Sequence, residues 1–87
     1  MTDPSLSGNE RKLLRCLLRF FRDFGPGATP ALKGLDEEAG LEPWELSEVV
    51  AGLRAKGLIE YWELQPAVRL TAGGLEAVLH LPDEGKD

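Results

Sequence analysis

One histidine, His80, and one cysteine, Cys16, limit the chemistry open to this chain of 87 residues. A nucleophilic site needs a base beside its serine or cysteine. A structural zinc site needs four His, Cys or carboxylate ligands, and a phosphate loop needs a glycine-rich run ending in Lys and Ser or Thr. None of these patterns is written here, so no catalytic residue, metal ligand or cofactor site is expected. His80 falls near the end of the last helical stretch, where the helix dipole favours it as a C-terminal cap. Asp36, Glu37 and Glu38 are consecutive and would point in different directions on a helix, so they do not make a metal cage. Cys16 lies at the edge of an apolar arc and reads as a buried structural thiol. With catalysis set aside, the chemistry left to this chain is binding by charged, polar and aromatic side chains.

The elements that must position them follow from stop and start signals. Ser7-Gly8-Asn9-Glu10 is a capping box, with Leu6 ahead of it as a candidate staple, so a first helix runs from residue 7 to about 24. Gly25-Pro26-Gly27 ends it. Leu13, Leu14, Cys16, Leu17, Leu18, Phe20, Phe21 and Phe24 cover roughly 200° of that helix, while Arg11, Lys12, Arg15, Arg19 and Arg22 fill the rest. The basic stripe reads first as a solvated back. The apolar arc is wider than the ~100° one core contact needs, which predicts a second apolar partner, most simply another copy. Residues 25–34 read as a loop, with Thr29 as N-cap and Pro30 at N1 of a second helix within 30–39. Gly40 stops that helix and Pro43 starts the next, from about 43 to 56. Leu46, Val49, Val50 and Leu53 mark its buried face by their i, i+3, i+4, i+7 spacing. After Gly57 comes a two-stranded ribbon, 58–64 and 67–70, broken at Gln65-Pro66. Tyr61 and Trp62 are expected to pack the ribbon onto the helices. Thr71 then caps a last helix with Leu75, Val78 and Leu79 on one face, ending near Leu81-Pro82.

This order resembles the winged helix-turn-helix superfamily, most of all its MarR-like and ArsR-like bacterial members. Leu53-Arg54-Ala55-Lys56-Gly57-Leu58-Ile59 is similar to the family's L-x-x-x-G-L-I exit from the recognition helix. Leu70-Thr71-Ala72-Gly73-Gly74 is similar to its L-T-x-x-G passage from the second wing strand to the final helix. The resemblance runs from about residue 28 to 80, with slightly short spacing between the two motifs. It implies an α+β fold, mostly α: a three-helix core, a two-stranded wing and a short C-terminal helix. Asp36 stands where the family usually has a small alanine, which predicts altered packing there or a slipped register. The resemblance makes the 43–56 helix the recognition helix, with Glu42, Trp44, Glu45, Ser47 and Glu48 at its reading positions. Arg54, Lys56 and Arg69 then become the candidate nucleic-acid contacts, although Arg54 and Lys56 also suit a helix C-terminus. Terminal helices build the dimer in MarR-like proteins, so Leu14, Leu18, Phe21, Leu75 and Leu79 form the candidate dimer or partner face.

Composition sets the outer limits. The size suits one domain, which buries only roughly 60–65% of its unfolded surface, so dimerisation would help it. Residues 7–81 are read as the domain, 1–6 as a flexible lead-in and 82–87 as a polar disordered tail. No run is long enough to span a bilayer, and the first ten residues lack a basic and an apolar signal region, which suits a cytoplasmic protein and no membrane partner. The net charge is −5, whereas a duplex-binding domain usually shows a basic footprint. Residues 34–64 hold eight acids and two bases, a net −6, while residues 9–24 hold five bases and two acids, a net +3. Two readings from different classes therefore stand. The first, carried by the resemblance, is a homodimeric DNA-binding transcriptional regulator. The second is a winged helix turned to protein interaction, whose acidic face meets a basic protein partner with Trp44 as anchor. A reversed docking, with the basic first helix on nucleic acid, ranks behind both.

Overall fold

The computed structural model describes residues 6–25 and 27–81. The expectations for residues 1–5 and 82–87 lie outside the described residues. Four helices and a hairpin follow in the order α1 Gly8–Phe24, α2 Leu35–Ala39, α3 Pro43–Ala55, β1 Ile59–Trp62, β2 Ala67–Leu70 and α4 Ala72–Leu79. The arrangement is a winged-helix α+β fold.

Local signals act where the sequence places them. Ser7 Oγ accepts from the Glu10 amide at 3.0 Å, and the Ser7 N–H donates to Glu10 Oε1 at 2.9 Å, closing the box at the start of α1. Leu6 packs against the core beside it. Gly40 has φ +76°, the left-handed region that favours glycine, and the chain turns there from α2 into α3. The Leu41 N–H donates back to Asp36 O at 2.7 Å. Pro43 opens α3, and Glu45 reaches back to accept from the Glu42 N–H at 2.9 Å. Thr71 Oγ accepts from the Gly74 amide at 3.0 Å and donates to Gly57 O at 2.8 Å. One hydroxyl thus caps α4 and ties it to the turn that ends α3.

The core lies where α1, α3, α4 and the hairpin meet. Leu13, Leu14, Leu35, Leu53 and Val68 are sealed from solvent, with Leu17, Leu46, Val49, Leu58, Ile59 and Val78 around them. α1 packs on α2, α3, α4 and β2. These neighbours cover the part of its apolar arc around Leu13, Leu14, Cys16 and Leu17, while Leu18, Phe20 and Phe21 stay half-buried and Phe24 is exposed, stacked on Phe20. Leu14 is 0% exposed inside this core and is therefore no part of a partner face. Leu18, Phe21 and Leu75 are half-buried, and Leu79 is exposed.

Two further expectations need correction. Thr29 and Pro30 do not start α2. Pro30 O accepts from the Val68 N–H at 3.2 Å, the Leu32 N–H donates to Pro66 O at 2.8 Å, and Ala31 bridges antiparallel to Ala67. The residues read as a helix start are spent on a single bridge beside β2, and α2 begins only at Leu35. Trp62 does not pack beneath the ribbon. Side chains alternate along a strand, so Ile59 and Tyr61 turn inward while Glu60 and Trp62 turn outward. In α2 it is Leu35 and Ala39 that touch the core, leaving Asp36 half-buried at the edge.

Candidate functional site

Helix α3 has one buried and one open face. Leu46, Val49, Val50 and Leu53 face the core. Trp44, Glu48, Ala51 and Ala55 follow one another at i, i+4, i+7 and i+11, all exposed, with Ser47 exposed beside them. Trp44 is 62% exposed. Glu42 is the exposed N-cap residue, and Glu45 turns back to cap it. The five predicted reading residues thus share the first turns of α3. Ala51 and Ala55 continue that face, although sequence reasoning did not single them out. Their spacing from Trp44 was the available signal. The surface is small-featured and acidic around one large aromatic ring.

The three candidate cations are placed differently from one another. Lys56 Nζ sits 2.8 Å from both carboxylate oxygens of Glu10, whose residue is 7% exposed. This pair joins the end of α3 to the start of α1, so Lys56 is a strut between helices in addition to any dipole role. Gly52 makes room for it: a Cβ there would stand 2.5 Å from Glu10 Oε2. Arg54 lays its guanidinium over the Tyr61 ring, 5.0 Å from the centroid. Arg69 lies over the outward Trp62 at the same distance and donates to Glu60 Oε1 at 2.6 Å. The hairpin register, Glu60 opposite Arg69 and Trp62 opposite Ala67, puts these four side chains on one face of the wing. Both members of the Arg69–Glu60 pair are open to water, where such pairs contribute ~0–1 kcal/mol. Arg69 can exchange that carboxylate for another anion at little cost. Lys56 cannot leave Glu10 without stranding a buried charge.

The turn between the strands, residues 63–66, carries Leu64, 99% exposed. Thr29, Ala31, Trp62, Leu64, Pro66 and Ala67 border an open groove of about 950 Å³ along the wing. A smaller cleft of about 240 Å³ lies between α1 and α2, edged by Lys12, Arg15, Arg19 and Glu38, with Cys16 at its floor. Burial pushes the Cys16 thiol above its ordinary range, while a hydrogen bond and the charge of Arg19 pull the other way. Cys16 is buried, as the arc predicts. His80 is the cap of α4: its Nδ1 lies 2.9 Å from Glu76 O, which requires the hydrogen on that nitrogen. Among the described residues, no three His, Cys, Asp or Glu side chains converge on a point that could hold a metal ion. Among the same residues, no helix is long and apolar enough to cross a membrane.

No protein-family model matches the chain, and no curated protein is significantly similar to it. Its fold is similar to a solved structure of Bordetella bronchiseptica BpsR, described as showing a mechanism by which 6-hydroxynicotinic acid regulates the DNA binding of that protein. The TM-score is 0.71 at 21% identity, over 91% of this chain and 54% of BpsR. The chain thus spans about half the length of that protein, and the likeness is one of fold.

Proposed function

We propose that this chain is a non-enzymatic winged-helix regulator of transcription, of the MarR-like or ArsR-like kind, which contacts duplex DNA through α3 and the wing as a cytoplasmic homodimer. The observation that carries this reading is the open outer face of α3, with Arg54 held over Tyr61 at its end and Arg69 held over Trp62 on the outward face of the wing. The fold likeness to BpsR, a protein described by its DNA binding, supports it by analogy. Ser47 can bond base edges, Ala51 and Ala55 suit thymine methyl groups, and Glu48 can accept from cytosine N4. Arg54 and Arg69 would meet phosphates, which position the domain without reading sequence. The half-buried Leu18, Phe21 and Leu75 and the exposed Leu79 would form the dimer face.

Charge favours a second reading. Glu42, Glu45 and Glu48 stand on the reading half of α3, and Lys56 is committed to Glu10. A duplex carries one negative charge per ~1.7 Å, so this face can serve instead to bind a basic protein surface, with Trp44 as the anchor. Titration of a labelled duplex with Arg54→Ala and Arg69→Ala separates the two. Under the first reading each substitution weakens binding across all sequences and makes the salt slope shallower by about 1 per protomer. Binding unchanged in both variants would remove α3 and the wing as the duplex surface.

A further inference from the structure

We infer that the outer face of α3 is also the docking site for the basic stripe of α1 on a second copy of this chain. The inference needs only that this α3 face is open, and it does not depend on that face also being a duplex surface. α1 and α3 pack on each other through their buried faces, so their exposed faces are separate surfaces of one molecule. On α1 the exposed cations are Lys12, Arg19 and Arg22 at i, i+7 and i+10, a row about 15 Å long at 1.5 Å per residue, with Arg19 at the rim of the cleft between α1 and α2 and donating to Glu38 O. On α3 the exposed face runs from Trp44 to Ala55, about 16 Å by the same rise.

The two faces complement each other in charge and shape. Glu42 and Glu48 oppose a row of cations. Ser47, Ala51 and Ala55 are small enough for a helix to lie close, and Trp44 offers its ring to a guanidinium or ammonium. The faces belong to different surfaces of one molecule, so the contact is head-to-tail and grows into rings or short chains rather than closing as a two-fold pair. One helix face laid on another falls below the standard interface of about 1,600 Å². The association is therefore reversible, concentration-dependent and sensitive to salt. It also covers the α3 face that a duplex would use, so copies joined this way and copies bound to DNA exclude each other.

Sedimentation velocity over a concentration series, at low salt and at about 1 M salt, where screening shortens to ~3 Å, tests this. Wild-type protein associates at low salt and falls to monomer, or to any salt-resistant apolar dimer, at high salt. Arg19→Glu and Glu48→Lys each weaken the low-salt association roughly tenfold or more. An equal mixture of the two recovers it, because each contact then pairs opposite charges again. Circular dichroism confirms that both variants remain folded; should either unfold, Lys12→Glu and Trp44→Ala take their places. A monomer at every concentration in low salt overturns the inference. So does an association that both charge reversals leave intact, or one that only Phe21→Glu removes. None of these results touches the duplex reading, which the Arg54 and Arg69 titration decides by itself.

Discussion

Replacing Lys56 with methionine separates two roles that a lysine at the end of α3 can have. As a phosphate contact it would contribute to duplex binding and its salt dependence. As a strut it holds Glu10, with Nζ 2.8 Å from each oxygen. The Glu10 side chain is 10% exposed and that of Lys56 31%. At an effective dielectric of ~20, opposite charges about 4 Å apart attract by about 4 kcal/mol. Partial desolvation and the ordering of two long side chains offset much of this, leaving about 1–2 kcal/mol. Methionine keeps the stem and removes the charge. For a domain of this size that is a fall in melting temperature of roughly 4–16 °C. Thermal unfolding followed by circular dichroism reads the shift. A cycle with Glu10→Gln isolates the pair, and the double variant should lose less than the sum of the two singles. The salt slope of any duplex binding should stay unchanged. Wild-type stability in Lys56→Met, or strict additivity in the cycle, would refute the strut. A shallower salt slope would return Lys56 to the list of phosphate contacts.

Three other predictions concern separate parts of the molecule. Burial raises the Cys16 thiol in the folded state, so the native protein binds that proton more tightly than the unfolded chain. Stability should hold below the ordinary thiol range and fall as pH rises through it, and native Cys16 should react slowly with an aromatic disulfide reagent until the chain unfolds; fast native labelling would contradict its burial. Phe21→Glu places a charge on the half-buried apolar edge of α1 and should yield a monomer or an insoluble protein, whereas a soluble, unchanged dimer by light scattering would reject that edge as the dimer face. Glu48→Gln removes one carboxylate from the open face of α3 and should strengthen duplex binding several-fold at low salt, as measured by anisotropy. No change would argue that the duplex does not approach this face.

The frame of the molecule was legible because its punctuation is local. The Ser7 box, Gly40 before Pro43, and Thr71 before α4 each act within four residues of themselves. The i, i+3, i+4, i+7 spacing of Leu46, Val49, Val50 and Leu53 returned the buried face of α3 in full. What stayed hidden depends on distant partners. Thr29-Pro30 has the chemistry of a helix start, but the carbonyl of Pro30 is claimed by Val68, 38 residues on. Lys56 meets Glu10 across 46 residues, a pairing that no spacing rule announces. Trp62 was misplaced for a different reason. Two adjacent aromatics cannot both face inward from a strand, and strict alternation from the buried Ile59 would have turned Trp62 outward. The apolar arc on α1 has two parts: four elements of the same chain take up the part around Leu13, Leu14 and Leu17, and the end around Phe21 and Phe24 stays half or fully open. A helix at the centre of a small fold needs more than one apolar face.

The salt dependence of duplex binding by the wild-type chain tests the central claim most directly. Anisotropy of a labelled random duplex, titrated at low salt and repeated across a salt series, gives the slope of log K against log salt. With Arg54 and Arg69 as the phosphate contacts of each protomer, a dimer makes four, and the slope should lie at about −3 to −4. No binding even at low salt would contradict the claim that α3 and the wing meet DNA, and the acidic face of α3 would then belong to a protein partner.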